Sequence, residues 1–290
     1  MQSQKIPLIL LACASLAWAR DFSGARALEF TRQAVEFGPR PPGSPAIGRL
    51  QTWLVGKLKT LKCEVSEDVF TARTPRGAIE MKNIIARFRG ASPRAVVFTG
   101  HYDTKYMPAI RFVGADDGGS STGFLLEMAH ALDGRQLAGD VYLVWFDGEE
   151  AFGEWSATDS LYGSRHLAQR WSTEGLLGRI RALINVDMIG DRNLDIVNDE
   201  NSTASLRRLI WDTAGALGAG KYFLTGPGSL LDDHIPFVQD GVTAADLIDF
   251  DYGPNNSWWH SDKDTMDKLS ANSLGVVGKV VIETIRKLEP

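Results

Sequence analysis

The spacing of apolar positions changes along the chain, and these changes predict alternating helices and strands. Near the amino end, two segments repeat apolar residues with helical spacing: GARALEFTRQAVEFG and IGRLQTWLVGKLKTL. The intervening segment, GPRPPGSPAIG, is rich in proline and glycine, and the first helix is predicted to end at Gly38. This part of the chain therefore predicts two amphipathic helices joined by a rigid connection.

Short apolar runs alternate with helical patterns through the rest of the chain. Strands are predicted near MKNIIARF, RAVVFTG, VYLVWF, ALINVDMIG and VTAADLIDF. Helices are predicted near TGFLLEMAHAL, SLYGSRHLAQRW, ASLRRLIWDTAGAL and SANSLGVVGKVVIETIRKL. Because such alternation places helices on both faces of a sheet, we expect a single-domain, three-layer α/β/α sandwich. The first strands can run antiparallel, so the central sheet is expected to be mixed and mostly parallel.

The amino terminus has the pattern of an export signal. One basic residue in MQSQK precedes the short apolar segment IPLILLACASLAWA. This pattern predicts a signal peptide over residues 1–19 and a catalytic domain over residues 20–290. A second interpretation is a lipoprotein box around Cys13, but Leu11 is unusual there and simple cleavage is favoured. In both cases we expect an exported protein, secreted or periplasmic, without a membrane span.

Composition narrows the function classes. The chain has 290 residues and a formal net charge of −5, which argues against binding to nucleic acid or to an anionic membrane. Its only cysteines are Cys13 and Cys63, so the predicted mature domain has no internal disulfide. A domain of this length buries enough apolar surface to be stable without one, and a monomer is favoured.

Polar residues gather where the predicted strands end. The set comprises His101, Asp103, Asp116, Asp117, Asp147, Glu149, Glu150, Asp187, Asp232, Asp233, His234 and His260. Taken singly, each has an ordinary explanation, such as a helix cap or a solvated loop. Taken together, they would direct several like charges at one place, where a divalent cation relieves the repulsion. Histidine with carboxylates suits zinc, and one of the adjacent glutamates would remain free as a base.

Five motifs resemble, in order, the metal-ligand series of the M28-type zinc exopeptidases. They are GHYDT, GADDGGSSTG, FDGEE, VDMIG and the late WWH. The resemblance implies the zinc exopeptidase fold. It also implies metal-ligand positions at His101, Asp117, Glu150, Asp187 and His260, a general base at Glu149, and Asp103 as the residue that orients His101.

A narrower resemblance extends from about Gly100 to the end of the chain. HYDTKY, FVGADD, FDGEEAFGEWSATDSLYGSRHLA and DDHIPF are similar to the glutaminyl-peptide cyclotransferases, or glutaminyl cyclases. These acyltransferases convert the N-terminal glutamine of peptides to pyroglutamate and release ammonia. The resemblance implies one zinc held by Asp117, Glu150 and His260, proton transfer by Glu149, an acidic pair formed by Asp187 and Asp232, and a pocket shaped by Trp155 and Trp259.

Two other functions remain open at the sequence level. In an M28-type aminopeptidase, His101 and Asp187 would complete a second zinc site bridged by Asp117, and no ligand for it is missing. Asp232 favours the cyclase, because such aminopeptidases commonly carry a small residue there. A binding domain that has lost catalysis is disfavoured, since no metal ligand has been lost. The chain also differs from animal cyclases at Asp246, where they have a pocket histidine.

Overall fold

A computed structural model describes residues 22–288, so the predicted signal peptide and Cys13 lie outside the described residues. The α-helices of this part of the chain are α1 (Gly24–Val35), α2 (Pro45–Leu58), α3 (Gly119–Leu132), α4 (Tyr162–Thr173), α5 (Ala204–Ala216), α6 (Ile235–Gln239) and α7 (Ala271–Leu288). The strands are β1 (Glu64–Thr74), β2 (Gly77–Phe88), β3 (Ser92–His101), β4 (Gly139–Phe146), β5 (Ile180–Asp187), β6 (Ile196–Asp199), β7 (Phe223–Gly228) and β8 (Ala244–Ile248).

Six strands form one mixed sheet in the order β1-β2-β4-β3-β5-β8. Strand β2 is antiparallel to both β1 and β4, whereas β4, β3, β5 and β8 run parallel to one another. Strands β6 and β7 form a small separate sheet. The carboxyl ends of the four parallel strands therefore meet at one edge of the central sheet, which is the edge where open α/β sheets bind ligands.

Both faces of the central sheet are covered by helices. Along β4, Val141, Leu143 and Trp145 join the larger apolar core, which also contains residues of α1, α2, α3, α5 and α7. The alternate residues of β4 join a second core with α4 and α6 on the opposite face. A strand buried on both faces reads as a continuous apolar run, as this one does. The expected three-layer α/β/α sandwich with a mixed sheet is confirmed.

The predicted helices and strands are all present, and four elements were not predicted. These are the edge strand β1, the small strands β6 and β7, and the short helix α6. Most residues of β1 are exposed or half-buried, so its sequence lacks the apolar run that identifies the central strands. Among residues 22–288, no helix is long and apolar enough to span a membrane.

Candidate active site

The parallel strands deliver the predicted site residues to one edge of the sheet. His101 is the last residue of β3 and Asp187 is the last residue of β5. Glu149 and Glu150 follow β4, and Asp117 lies just before α3. All five side chains are buried. Since buried carboxylates need a compensating charge, this arrangement is costly unless a cation or protons are present.

A glycine makes the approach of Asp117 to His101 possible. Gly118 caps α3 with a φ of 77°, in the left-handed region that glycine adopts readily. A Cβ at this position would lie 2.5 Å from the backbone oxygen of Asp103 and 2.9 Å from Cε1 of His101. Both the turn and the close packing therefore require a residue without a side chain.

Asp117, Glu150 and His260 converge as predicted. Nε2 of His260 lies 2.9 Å from Oε1 of Glu150 and 3.3 Å from Oδ2 of Asp117. The candidate ligand atoms of the three residues all lie within 4.8 Å of one another. His260 belongs to the loop after β8 and has a φ of 48°, so this loop turns sharply at the residue that reaches the carboxylates.

His101, Asp117 and Asp187 form a second group that shares Asp117 with the first. Nε2 of His101 lies 3.1 Å from Oδ1 of Asp187 and 3.2 Å from Oδ1 of Asp117. Their ligand atoms also lie within 4.8 Å of one another. The geometry thus brings together every metal-ligand position that the sequence predicted, around two adjacent points.

Asp103 supports the site in a way that the sequence did not predict. Its carboxylate accepts hydrogen bonds from the backbone N–H groups of Glu149, at 3.2 Å, and Glu150, at 3.3 Å. Its Oδ1 lies 3.4 Å from Nδ1 of His101, within ion-pair distance but beyond a good hydrogen bond. Asp103 therefore fixes the turn that carries both glutamates, in addition to lying beside the imidazole.

Asp264 connects two loops that carry candidate ligands. Its buried carboxylate accepts hydrogen bonds from the backbone N–H of Asp116 at 2.8 Å and of Asp117 at 3.2 Å. It also accepts one from the hydroxyl of Tyr252 at 2.8 Å. Sequence reasoning missed this residue.

A cavity of about 490 Å³ opens beside the two groups. Its walls include Glu149, Asp187 and Asp232, which are the three predicted catalytic residues, and the predicted pocket residues Trp155 and Trp259. The two indole rings are 40% and 36% exposed, so neither is a simple core residue. Further walls that the sequence did not predict are Lys105, Glu154, Ser229, Leu230, Leu231, Ile248 and Phe250.

Two polar contacts refine this cavity. Nζ of Lys105 lies 3.4 Å from Oε2 of Glu150, which places a cation at the mouth of the metal-ligand group. Oδ2 of Asp232 is buried and has no hydrogen-bond partner. Asp246 is buried, does not line this cavity, and accepts a hydrogen bond from Asn185.

Burial and charge shift the pKa values of the two carboxylates that would act on a substrate. Burial raises the pKa of Glu149 well above its usual range, against the opposing effect of His101. Burial likewise raises the pKa of Asp187 to about 7. Strongly perturbed carboxyl groups in a cleft are typical of functional sites.

The pKa values of Asp117 and His260 shift in the directions that favour the charged form of each group. Burial would raise the pKa of Asp117, but close contact with the imidazoles of His101 and His260 holds it well below its usual range. Burial would lower the pKa of His260, but the charge of Glu150 and contact with Asp117 raise it to about 9. Each shift results from the close approach of opposite charges in this group.

The donor set fits zinc. Two carboxylates and one imidazole are a common zinc ligand set, and a fourth position remains available for a substrate atom. Oδ2 of Asp117 is buried without a hydrogen-bond partner and faces His260 at 3.3 Å. An unpartnered buried carboxylate oxygen within such a group is the ligand atom that a cation would satisfy.

Residues 83–285 match the profile of Peptidase family M28. The matched segment covers most of the chain and includes every candidate metal ligand described above. The chain belongs to peptidase family M28.

This M28 protein is similar to named cyclases in both sequence and fold. It is 36% identical over 266 residues to a glutaminyl-peptide cyclotransferase-like protein of Bos taurus, covering 79% of this chain and 67% of the relative. It also resembles the crystal structure of Acidobacteriales bacterium glutaminyl cyclase, with a TM-score of 0.90 and 38% identity over 99% of both chains. The resemblance predicted from the motifs is therefore confirmed.

The fold is also similar to that of a peptidase. A Zn-dependent exopeptidase from Parabacteroides distasonis ATCC 8503 matches this M28 protein with a TM-score of 0.83 and 26% identity, over 92% of this chain and 99% of the other. Similarity of fold alone therefore does not distinguish ring closure from hydrolysis, and the cavity residues must carry that distinction.

Proposed function

We propose that this M28 protein is a zinc-dependent glutaminyl-peptide cyclotransferase, which converts the N-terminal glutamine of peptides to pyroglutamate and releases ammonia. The observation that carries the proposal is Asp232, a buried carboxylate with an unpartnered oxygen in the cavity that Glu149 and Asp187 line. An acidic pair of this kind is suited to binding the two N–H groups of a primary amide. Similarity to the named cyclases supports the same activity.

In this proposal one zinc is held by Asp117, Glu150 and His260. When bound, zinc would supply a Lewis acid that polarises the γ-carbonyl of the substrate glutamine. The contacts of His260 with both carboxylates support this ligand set. We propose that each chain binds a single zinc ion.

Glu149 is the proton-transfer residue. It removes a proton from the α-amine, whose nitrogen then bonds to the γ-carbon and closes a five-membered lactam. The bond between the γ-carbon and the amide nitrogen breaks, and Glu149 returns the proton to the departing ammonia. Both reacting groups belong to the same glutamine, so holding its side chain folded back over its amine supplies much of the rate.

The other cavity residues position the glutamine. Asp187 and Asp232 accept hydrogen bonds from the amide nitrogen, and a proton shared between them reduces their repulsion. Trp155 and Trp259 supply flat walls for the folded side chain. Trp259 stacks on His260 with ring centroids 3.9 Å apart, so it lies directly beside a proposed metal ligand.

A second candidate is a di-zinc aminopeptidase. The observation that favours it is the complete second group formed by His101, Asp117 and Asp187. In that case Glu149 would activate water and the N-terminal residue would be hydrolysed from the peptide. Asp232 favours the cyclase, since aminopeptidases of this type commonly carry a small residue at this position.

One paired assay distinguishes these functions. The purified protein, with its zinc content measured, is incubated with Gln-peptides and with Leu- and Ala-arylamides. We expect ammonia release and pyroglutamyl peptide from the former and no arylamine from the latter. Free amino acid without pyroglutamate would contradict the cyclase, and bound zinc without any turnover would favour a binding protein.

The site of action is a further part of the proposal. We propose export after removal of residues 1–19, with residues 20–290 as one catalytic domain that acts as a monomer. Acylation at Cys13 is the less favoured alternative. The mass of the mature amino terminus distinguishes a start at Arg20 from an acylated Cys13.

A further inference from the structure

A second cavity of about 610 Å³ lies next to the cavity that Glu149, Asp187 and Asp232 line. We call it the hairpin groove. Its walls are Pro41–Ser44, one face of α2 at Ile47, Gly48 and Gln51, Arg76 in the turn between β1 and β2, the start of β2 at Ala78, Ile79 and Glu80, and the side chains of Tyr106 and Phe152.

The walls of the hairpin groove combine apolar and aromatic side chains with polar ones. Ile79 and Phe152 pack against a small apolar cluster that includes Met81 and Tyr162. The guanidinium of Arg76 lies 3.9 Å from the ring centroid of Tyr106, which holds this aromatic side chain in place. Proline and aromatic side chains beside an extended hairpin are suited to contact with an extended peptide.

The cavity of about 490 Å³ beside Glu149 is called the substrate cavity. The hairpin groove adjoins it through two short segments. Lys105 lines the substrate cavity, and the next residue, Tyr106, lines the groove. Gly153 lines the substrate cavity, and the preceding residue, Phe152, lines the groove. The rings of Tyr106 and Phe152 are 6.4 Å apart, so the groove wall is continuous across these two segments. Because adjacent residues line the two cavities, a peptide that leaves the substrate cavity over either segment reaches the groove, at an advance of roughly 3.3–3.6 Å per residue.

We propose that the hairpin groove binds the downstream residues of peptide substrates while their N-terminal glutamine occupies the cavity beside Glu149. This inference rests on the proposed cyclotransferase function and narrows its substrate class to extended polypeptides. Side chains that enter the groove meet the apolar surface of Ile79 and Phe152, so apolar residues are favoured there. Free glutamine and dipeptides lack the residues that reach the groove and gain nothing from it.

Two glycines of α2 allow a matched test. A Cβ added at Gly48 or at Gly56 meets no atom within 4 Å, and neither glycine has a left-handed φ. Gly48 lines the hairpin groove, whereas Gly56 does not. Gly48→Trp therefore fills the groove, and Gly56→Trp places the same side chain on the same helix outside it. Neither residue lines the substrate cavity.

The test measures kcat/KM for ammonia release from Gln-peptide amides of two, four, six and eight residues with one apolar sequence. We expect kcat/KM of the wild type to rise about tenfold with length, which corresponds to about 1.4 kcal/mol. Gly48→Trp should abolish this rise and leave the dipeptide value unchanged, and Gly56→Trp should match the wild type.

Each other result has a defined meaning. Dipeptide turnover without any length dependence in the wild type would overturn the groove proposal and leave the proposed function intact. A length dependence that survives in Gly48→Trp would also overturn it. Absence of ammonia release from every peptide, including the dipeptide, would overturn the proposed function and the groove proposal with it.

Discussion

Two adjacent glutamates have different surroundings, and this difference is the basis of the proposed mechanism. Oε1 of Glu150 lies 2.9 Å from Nε2 of His260 and belongs to a metal-ligand group. Glu149 belongs to neither group that the described residues form, and burial raises its pKa. The carboxylate of Asp103 accepts hydrogen bonds from the backbone N–H groups of both residues and so fixes the turn that carries them. One glutamate is thereby suited to bind metal, and the other to carry a proton.

Replacement of Glu149 by glutamine tests this division of roles. The amide keeps the size of the side chain but cannot accept the α-amine proton. We expect kcat to fall about 10²–10⁴-fold, the usual contribution of a general base, with zinc content per chain unchanged. Glu150→Gln is the matched control and should lose zinc as well as activity. Loss of zinc from Glu149→Gln, or retained activity in it, would contradict the assignment.

At the scale of secondary structure, the turn that begins α3 controls the shape of the site. Gly118 has a φ of 77°, and a side chain there would clash with the backbone oxygen of Asp103 and with the ring of His101. Gly218 has a similar φ of 72°, yet a side chain there would meet no atom within 4 Å. A comparison of the two glycines therefore distinguishes the cost of a left-handed backbone, which both share, from the cost of a steric clash, which only Gly118 has.

Alanine substitutions at these two glycines should differ in effect. Gly218→Ala should lower the free energy of unfolding by about 1–2 kcal/mol, the cost of the left-handed conformation. Gly118→Ala should lower it by roughly 3 kcal/mol or more and weaken zinc binding, because the clash displaces Asp117 or His101. Chemical denaturation and zinc titration check both effects. Equal destabilisation in the two variants would show that the close packing around Gly118 is unimportant.

The central strands were predictable from the sequence because they are buried on both faces and read as apolar runs. Strand β1 was not, since it is the edge strand and most of its side chains are exposed or half-buried. For the same reason its pairing with β2 is set by the turn near Gly77 and the partner strand rather than by an apolar pattern of its own. Local patterns thus identify core elements well and edge elements poorly.

At the scale of the whole molecule, the parallel arrangement of β3, β4, β5 and β8 determines the site. The motifs indicated which side chains belong to the active site. The parallel sheet explains why site residues as far apart in sequence as His101 and His260 meet at one edge. Contacts between loops far apart in sequence could not be predicted from local sequence patterns. Asp264, which is hydrogen-bonded to the backbone of Asp116 and Asp117, and Lys105, which lies beside Glu150, are two such cases. Their roles depend on tertiary distances that sequence spacing does not contain.

The central hypothesis is that one zinc lies among Asp117, Glu150 and His260, with Glu149 free. Anomalous diffraction at the zinc absorption edge, on crystals of the zinc-loaded protein, tests it most directly. We predict a single peak at about 2.0–2.2 Å from one carboxylate oxygen of Asp117, one of Glu150 and one ring nitrogen of His260. A second peak among His101, Asp117 and Asp187, or a peak bound by Glu149, would contradict it.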